Sequence, residues 1–287
     1  MIPDIRRVGQ HAALYAHARC EHIMEQIEER VGDDWGIAVG EIEGEQYYQF
    51  QGRVKLANVR VELVATVDVE SATLKWEWAD EAAVSGAAEL GRRLAAEAMC
   101  EWGEEQGLPG FTTPVVPYEV PEWDGDEAES GSGEDTEDEE GEEGEEDDEL
   151  YAPSIAAAAV SEDVGDSAFE IFGSHACYAT IPNEDESEIR IYLMDSFNPP
   201  MRETDLSVMF VKFDAILLEC DDPVWSIEGI AHQREDWTVE EIEPENKQRA
   251  WKIADSEGRY FVVELSFNED GMIAELGKKG LFTEEGA

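Results

Sequence analysis

The chain of 287 residues carries 70 acidic and 20 basic side chains, a formal charge of −50. That balance excludes nucleic-acid binding by phosphate neutralisation and anionic-lipid binding through a basic patch. At 42% hydrophobic and 9% aromatic, the chain is nonetheless too rich in core-forming residues to be unstructured throughout.

In chain order, Ile5, Val8, Ala12, Tyr15, Ala16, Ile23, Ile27 and Val31 recur every three or four residues, which predicts one long helix ended by Gly32. A short segment at Trp35–Val39 follows. The aromatic run Tyr47–Phe50, the alternating run Val59–Val67 and Leu74-Lys75-Trp76-Glu77-Trp78 then predict an antiparallel meander with one buried face. Asp80 suits the N-cap of a second helix whose apolar positions are Val84, Ala87, Leu90, Leu94, Ala98 and Trp102, with Gly107 as its stop. This first part, residues 1–121, reads as a helix-sheet-helix α+β domain.

Between Glu122 and Glu149, 18 of 28 residues are acidic, none is basic, and glycine and serine intervene. Such a stretch cannot bury enough apolar surface to offset chain entropy, and its like charges repel, so a disordered linker is expected at 122–149. Residues 1–121 and 150–287 carry net charges of −12 and −20, so the acidity is not confined to the linker.

Residues 150–287 predict a short helix from Pro153 through Ala159, strands at Phe169–Thr180 and Ile189–Asp195, and a helix on Leu206, Met209, Phe213 and Leu217. A helix at Val224–Gln233 and four strands between Thr238 and Leu276 complete this α+β domain. The overall expectation is two modules of helices packed on antiparallel sheets, joined by an acidic linker.

Four scattered cysteines without a Cys-x-x-Cys pair, and no apolar signal-type segment, point to reduced buried thiols and a cytoplasmic location. No run approaches the ~18 apolar residues of a membrane span.

The order of Asp34-Trp35, an aromatic strand, Leu74-Lys75-Trp76-Glu77-Trp78-Ala79-Asp80, a helix and Gly107-Leu108-Pro109 resembles an uncharacterised bacterial domain-of-unknown-function family with a Trp-x-Trp-Ala-Asn motif. Asp80 stands where that family has Asn, which keeps the N-cap role. The likeness extends more loosely into the second half, without the acidic insert, and implies a fold and no catalytic residues. The ending Phe267–Ile273 resembles the last hairpin of cone-shaped NTF2-like domains.

No catalytic signature emerges. His17 and Glu21 share a helix face that His22 cannot join, so no metal is expected. In Ser174-His175-Ala176-Cys177, His175 and Cys177 would share a strand face, but no third group orients them. With no glycine-rich phosphate loop, no cofactor is expected. The candidate binding residues are Trp76 and Trp78, as an aromatic wall, and His175, Tyr192 and Asp195 on strands of the second half. The expected function is a non-catalytic protein-interaction or adaptor module with a protein partner. A polyanion mimic or immunity-type binder of a basic protein, and a small-molecule binder or enzyme with a C-terminal pocket, are the alternatives.

Overall fold

Helix α1 spans Pro3–Val31 in the computed structural model, which describes residues 1–32, 36–42, 45–52, 55–121 and 145–283. Pro3 sits in its first turn, Asp4 and Arg30 complement the helix dipole at opposite ends, and Gly32, at φ 88°, ends it with its N–H on the Glu28 carbonyl. All three apolar clusters among the described residues draw on this one helix. Ile5 enters one; Ala12, Leu14, Tyr15, Ala16 and Ala18 a second; Ile23, Ile27 and Val31 a third.

Two antiparallel sheets flank it. The first holds β1 (Gly36–Ile42), β2 (Glu45–Gln51), β3 (Lys55–Asp68), β4 (Thr73–Trp76), β5 (Val115–Pro117), β6 (Tyr178–Pro182) and β7 (Glu188–Asp195). The second is the meander β8 (Trp237–Ile242), β9 (Arg249–Asp255), β10 (Arg259–Phe267) and β11 (Ile273–Thr283). Helices packed on antiparallel sheets are thus the observed architecture.

Strand pairing crosses the acidic stretch. β7 pairs with β3 from Arg60↔Asp195 to Asp68↔Glu188, so residues before and after the stretch share one sheet. The reason is the length of β3. One of its edges serves β2 through Val61 and β4 from Ala65, and the other needs a second long strand to satisfy its backbone groups. Residues 122–144 of the expected linker, and the Asp34-Trp35 pair, lie outside the described residues. Positions 145–149 belong to helix α5, Glu145–Phe172.

Three expectations change. Strand β4 ends at Trp76, and Trp78 falls in a 3-10 turn, Glu77–Ala79, so the two indoles do not line one strand face. The single helix expected from Val84 to Trp102 is two, α2 (Glu81–Glu89) and α3 (Ala95–Gln106), parted at Gly91, whose φ of 68° no helix accommodates. Asp80 does cap α2, accepting from the N–H groups of Ala82 and Ala83. Third, Phe169–Phe172 are the last turn of α5 and not strand, so His175 lies in the turn before β6.

The short helix α4 (Pro109–Thr112) carries Gly110, whose carbonyl accepts from Trp76 Nε1 at 2.7 Å, while Phe111 packs 5.6 Å from the Trp76 ring. Trp76 is fully buried. Replacing it with Phe should cost about 1–3 kcal/mol in urea unfolding, because the Gly110 carbonyl then stays buried without its donor; an unchanged midpoint would show that the indole N–H contributes nothing.

Helices α6 (Leu206–Glu219, capped by Asp205) and α7 (Pro223–Gln233, capped by Asp222) cover the second sheet. Met209, Phe213, Ile216, Leu217, Ile227 and Ile230 interlock there with Trp251, Ile253, Phe261, Val263 and Leu265. No helix among the described residues is long and apolar enough to cross a membrane.

Candidate functional site

Small residues bring α1 against its neighbours. A Cβ on Gly9 would sit 2.6 Å from the Asp163 carbonyl oxygen, so α1 and α5 touch backbone to backbone at that level. Beside this crossing, a pocket of about 240 Å³ opens between α1, α5 and the end of α6. Arg6, Gln10, Ala13 and His17 reach it from one face of α1. Ala159, Glu162, Asp163 and Asp166 reach it from α5, and Ile216, Glu219, Cys220 and Asp221 from α6 and the residues after it.

Five carboxylates thus meet two cations. Arg6 pairs with Asp221, which also accepts from Gln10 at 2.7 Å. His17 Nε2 lies 3.1 Å from Asp166 Oδ2. Asp166 is 4% exposed, and its other oxygen, Oδ1, is buried with no hydrogen-bond partner. Glu162, Asp163 and Glu219 have no ion pair among the described residues.

The electrostatics follow from this crowding. The Asp166 carboxylate holds the His17 imidazole protonated, pushing its pKa up to about 10 against the opposing effect of burial. Burial raises Asp163 to about 7, and raises Glu162 as well. Burial also lifts the Cys220 thiol to about 11. At neutral pH the pocket therefore lacks a free imidazole base and a thiolate nucleophile. It offers instead surplus negative charge, an unpartnered carboxylate oxygen, and one carboxyl, Asp163, that can exchange a proton near neutrality.

The residues singled out in the sequence are not brought together. Trp76 is core. Trp78 is half-buried, its Nε1 enclosed without a partner. His175 is exposed, 3.5 Å from Glu203, while Cys177 turns to the Cys20 sulfur, so no Cys/His dyad forms. Asp195 forms a two-pronged pair with Arg60. Tyr192 packs edge-on against Tyr48 and lines a different groove of about 430 Å³ with Glu62, Glu77, Arg92 and Arg190. That groove sits where Glu62–Val64 of β3 lack a partner on the edge between β2 and β4. Arg190 there pairs with Glu188, and Glu62 accepts from the Ala95 N–H.

Sequence reasoning missed Glu162, Asp163, Asp166 and Glu219, because single acids are inconspicuous among 70. The available signal was Asp166 within the apolar run of Val160, Val164, Ala168 and Phe169. Among the described residues, no group of three or more His, Cys, Asp or Glu side chains is arranged to hold a metal ion.

No curated protein and no solved structure matches the chain. Residues 6–131, which hold α1 from Arg6 onward, the first five strands and α2 to α4, match the model of a family of unknown function, DUF6882.

Proposed function

We propose that this is a non-catalytic interaction protein that engages a basic protein partner, with the α1–α5–α6 pocket receiving a lysine or arginine side chain of that partner. The supporting observation is a pocket lined by Asp166, whose buried Oδ1 has no hydrogen-bond partner, and by three carboxylates without an ion pair among the described residues. At about 240 Å³ the pocket has room for one long side chain, which favours an anchor residue of a protein over a large cofactor. The surplus charge of the whole chain would speed the encounter and suppress acidic competitors. The same features suit an adaptor or an immunity-type binder of a basic protein.

A fluorescent decalysine peptide tests the reading. Its affinity should fall by roughly tenfold or more when salt is raised from about 50 to about 500 mM. The double change Glu162→Gln and Glu219→Gln should weaken it several-fold more than Glu269→Gln with Asp270→Asn, which removes equal charge from an exposed hairpin turn. Equal losses from both pairs would reduce the pocket to general surface charge. Salt-independent binding would overturn the electrostatic reading altogether.

A further inference from the structure

The middle of α1 and the segment before β6 place two thiols in contact. Cys20 Sγ and Cys177 Sγ are 3.3 Å apart, although 157 positions separate them in the chain. Cys177 is buried, and its carbonyl is anchored by the Met194 N–H at 2.7 Å. Cys20 is only half-buried and lines a pocket of about 370 Å³ with Glu21, Met24, Tyr48, Tyr178 and Met194. Cys100, on α3, and Cys220, after α6, face no other thiol among the described residues, and the Cys220 Sγ donates to the Ile216 carbonyl at 3.3 Å.

We propose that Cys20 and Cys177 are a reversible oxidation site, which a peroxide entering beside Cys20 converts to an intramolecular disulfide. A disulfide requires the sulfurs to approach to about 2.05 Å, a movement on the order of 1 Å from their present contact. The pair is preformed across two elements that the fold holds together, so encounter of the sulfurs needs no rearrangement of the chain.

The chemistry balances in two steps. Cys20 gives up its proton, and its sulfur attacks one peroxide oxygen. The O–O bond breaks, the leaving hydroxide becomes water, and Cys20 is left as sulfenic acid, oxidised by two electrons. The Cys177 sulfur then attacks the Cys20 sulfur. The S–O bond breaks, hydroxide departs with the Cys177 proton as water, and the S–S bond forms. Overall, two thiols and one hydrogen peroxide give one disulfide and two waters. The Cys177 contact and burial raise the Cys20 thiol well above its ordinary range, so little thiolate is present at neutral pH. The site therefore responds slowly, to sustained and not trace oxidant. Reduction by an excess of a small thiol reverses it.

The bond would tie α1, three residues past His17, to the strand pair β6–β7. It would close a loop of more than 150 residues and restrict the unfolded chain accordingly.

The full chain carrying Cys100→Ser and Cys220→Ser isolates the pair. Hydrogen peroxide should remove both remaining thiols with a loss of 2 Da. The product should stay monomeric on non-reducing electrophoresis, and Tm should rise by about 5 °C or more, reversed by dithiothreitol. Two thiols still titratable after oxidation, a Cys20 sulfinic or sulfonic acid in place of the mass loss, or a disulfide-linked dimer would each overturn the proposal. Peptide mapping of the unsubstituted protein reads the same answer without any substitution: a Cys20–Cys177 cross-link supports the site, and a different pairing or none overturns it.

Discussion

Replacing Gly229 with alanine should destabilise the protein by about 3 kcal/mol or more, while the same replacement at Gly86 should stabilise it by about 0.5–1 kcal/mol. Both glycines are helical, in α7 and α2 respectively, so the intrinsic helix preference favours alanine equally at each. The difference is what a Cβ would meet. At Gly229 it would overlap the carbonyl oxygen of His11 and lie 2.7 Å from the carbonyl carbon, both backbone atoms of α1 that cannot swing aside. At Gly86 nothing lies within 4 Å. Relief at Gly229 requires α7 to move away from α1, and that crossing carries a shared polar centre. Glu170 of α5 accepts from His11 Nδ1 at 2.6 Å and from Gln233 Nε2 at 2.7 Å, with His232 Nε2 at 2.9 Å. His11 also packs 4.3 Å from the Trp225 ring. Separating the helices would strand a nearly buried carboxylate, which adds to the steric cost. Urea unfolding of the two variants measures the contrast directly. Equal, small effects of one sign would mean that α7 is not held against α1 as described.

How much of this was legible in sequence depends on the kind of interaction. Helix α1 announced itself because its apolar spacing runs from Ile5 to Val31 with a glycine stop. The second sheet did so through its four strand-like runs between Thr238 and Leu276. The break between α2 and α3 was hidden because Leu90 and Leu94 keep helical spacing across it, while the deciding feature is the positive φ of Gly91. The first turns of α5 share the acidic composition of the stretch before them, so its start could not be read. Strand pairing is a long-range choice: nothing local in Ile189–Asp195 says that its partner is Arg60–Asp68. The acidic pocket is hidden for the same reason, since it assembles from three helices and each contributes residues that look solvated when read alone.

The contributions of Asp163 and His17 to stability should fall as pH rises from about 4 to about 10, in two adjoining windows that single substitutions separate. Asp163 has an ordinary value of 3.8 in the unfolded chain and about 7 when folded. Between those values the folded state keeps a proton that the unfolded chain has released, so rising pH favours unfolding. The penalty is absent below about pH 4 and complete above about pH 7. His17 moves from 6.5 to about 10, so its ion pair with Asp166 stabilises fully below pH 6.5 and is lost as pH rises through about 10. The groups around these two include Arg6 and Cys20 from α1, Glu162 and Asp166 from α5, Glu219, Cys220 and Asp221 from the end of α6, Tyr178 beside Asp166, and the amino group of Met1. Their shared background cancels in the difference between a variant and the parent protein. Asp163→Asn should therefore match the parent near pH 4 and exceed it by about 2–4 kcal/mol at pH 8, since each pH step of one between the unfolded and folded values contributes about 1.4 kcal/mol. His17→Gln should cost about 2–4 kcal/mol at pH 6, leaving the Asp166 charge buried and unpaired, and the deficit should shrink toward pH 10. Urea unfolding across that range measures both, and a pH-independent difference for Asp163→Asn would remove the buried carboxyl from the account. The same titration bears on binding. A cation entering the pocket favours ionised Asp163, so decalysine should bind more tightly at pH 8 than at pH 6, and Asp163→Asn should abolish that gain. The carboxylate that weakens the fold at neutral pH is then the one that a basic partner stabilises.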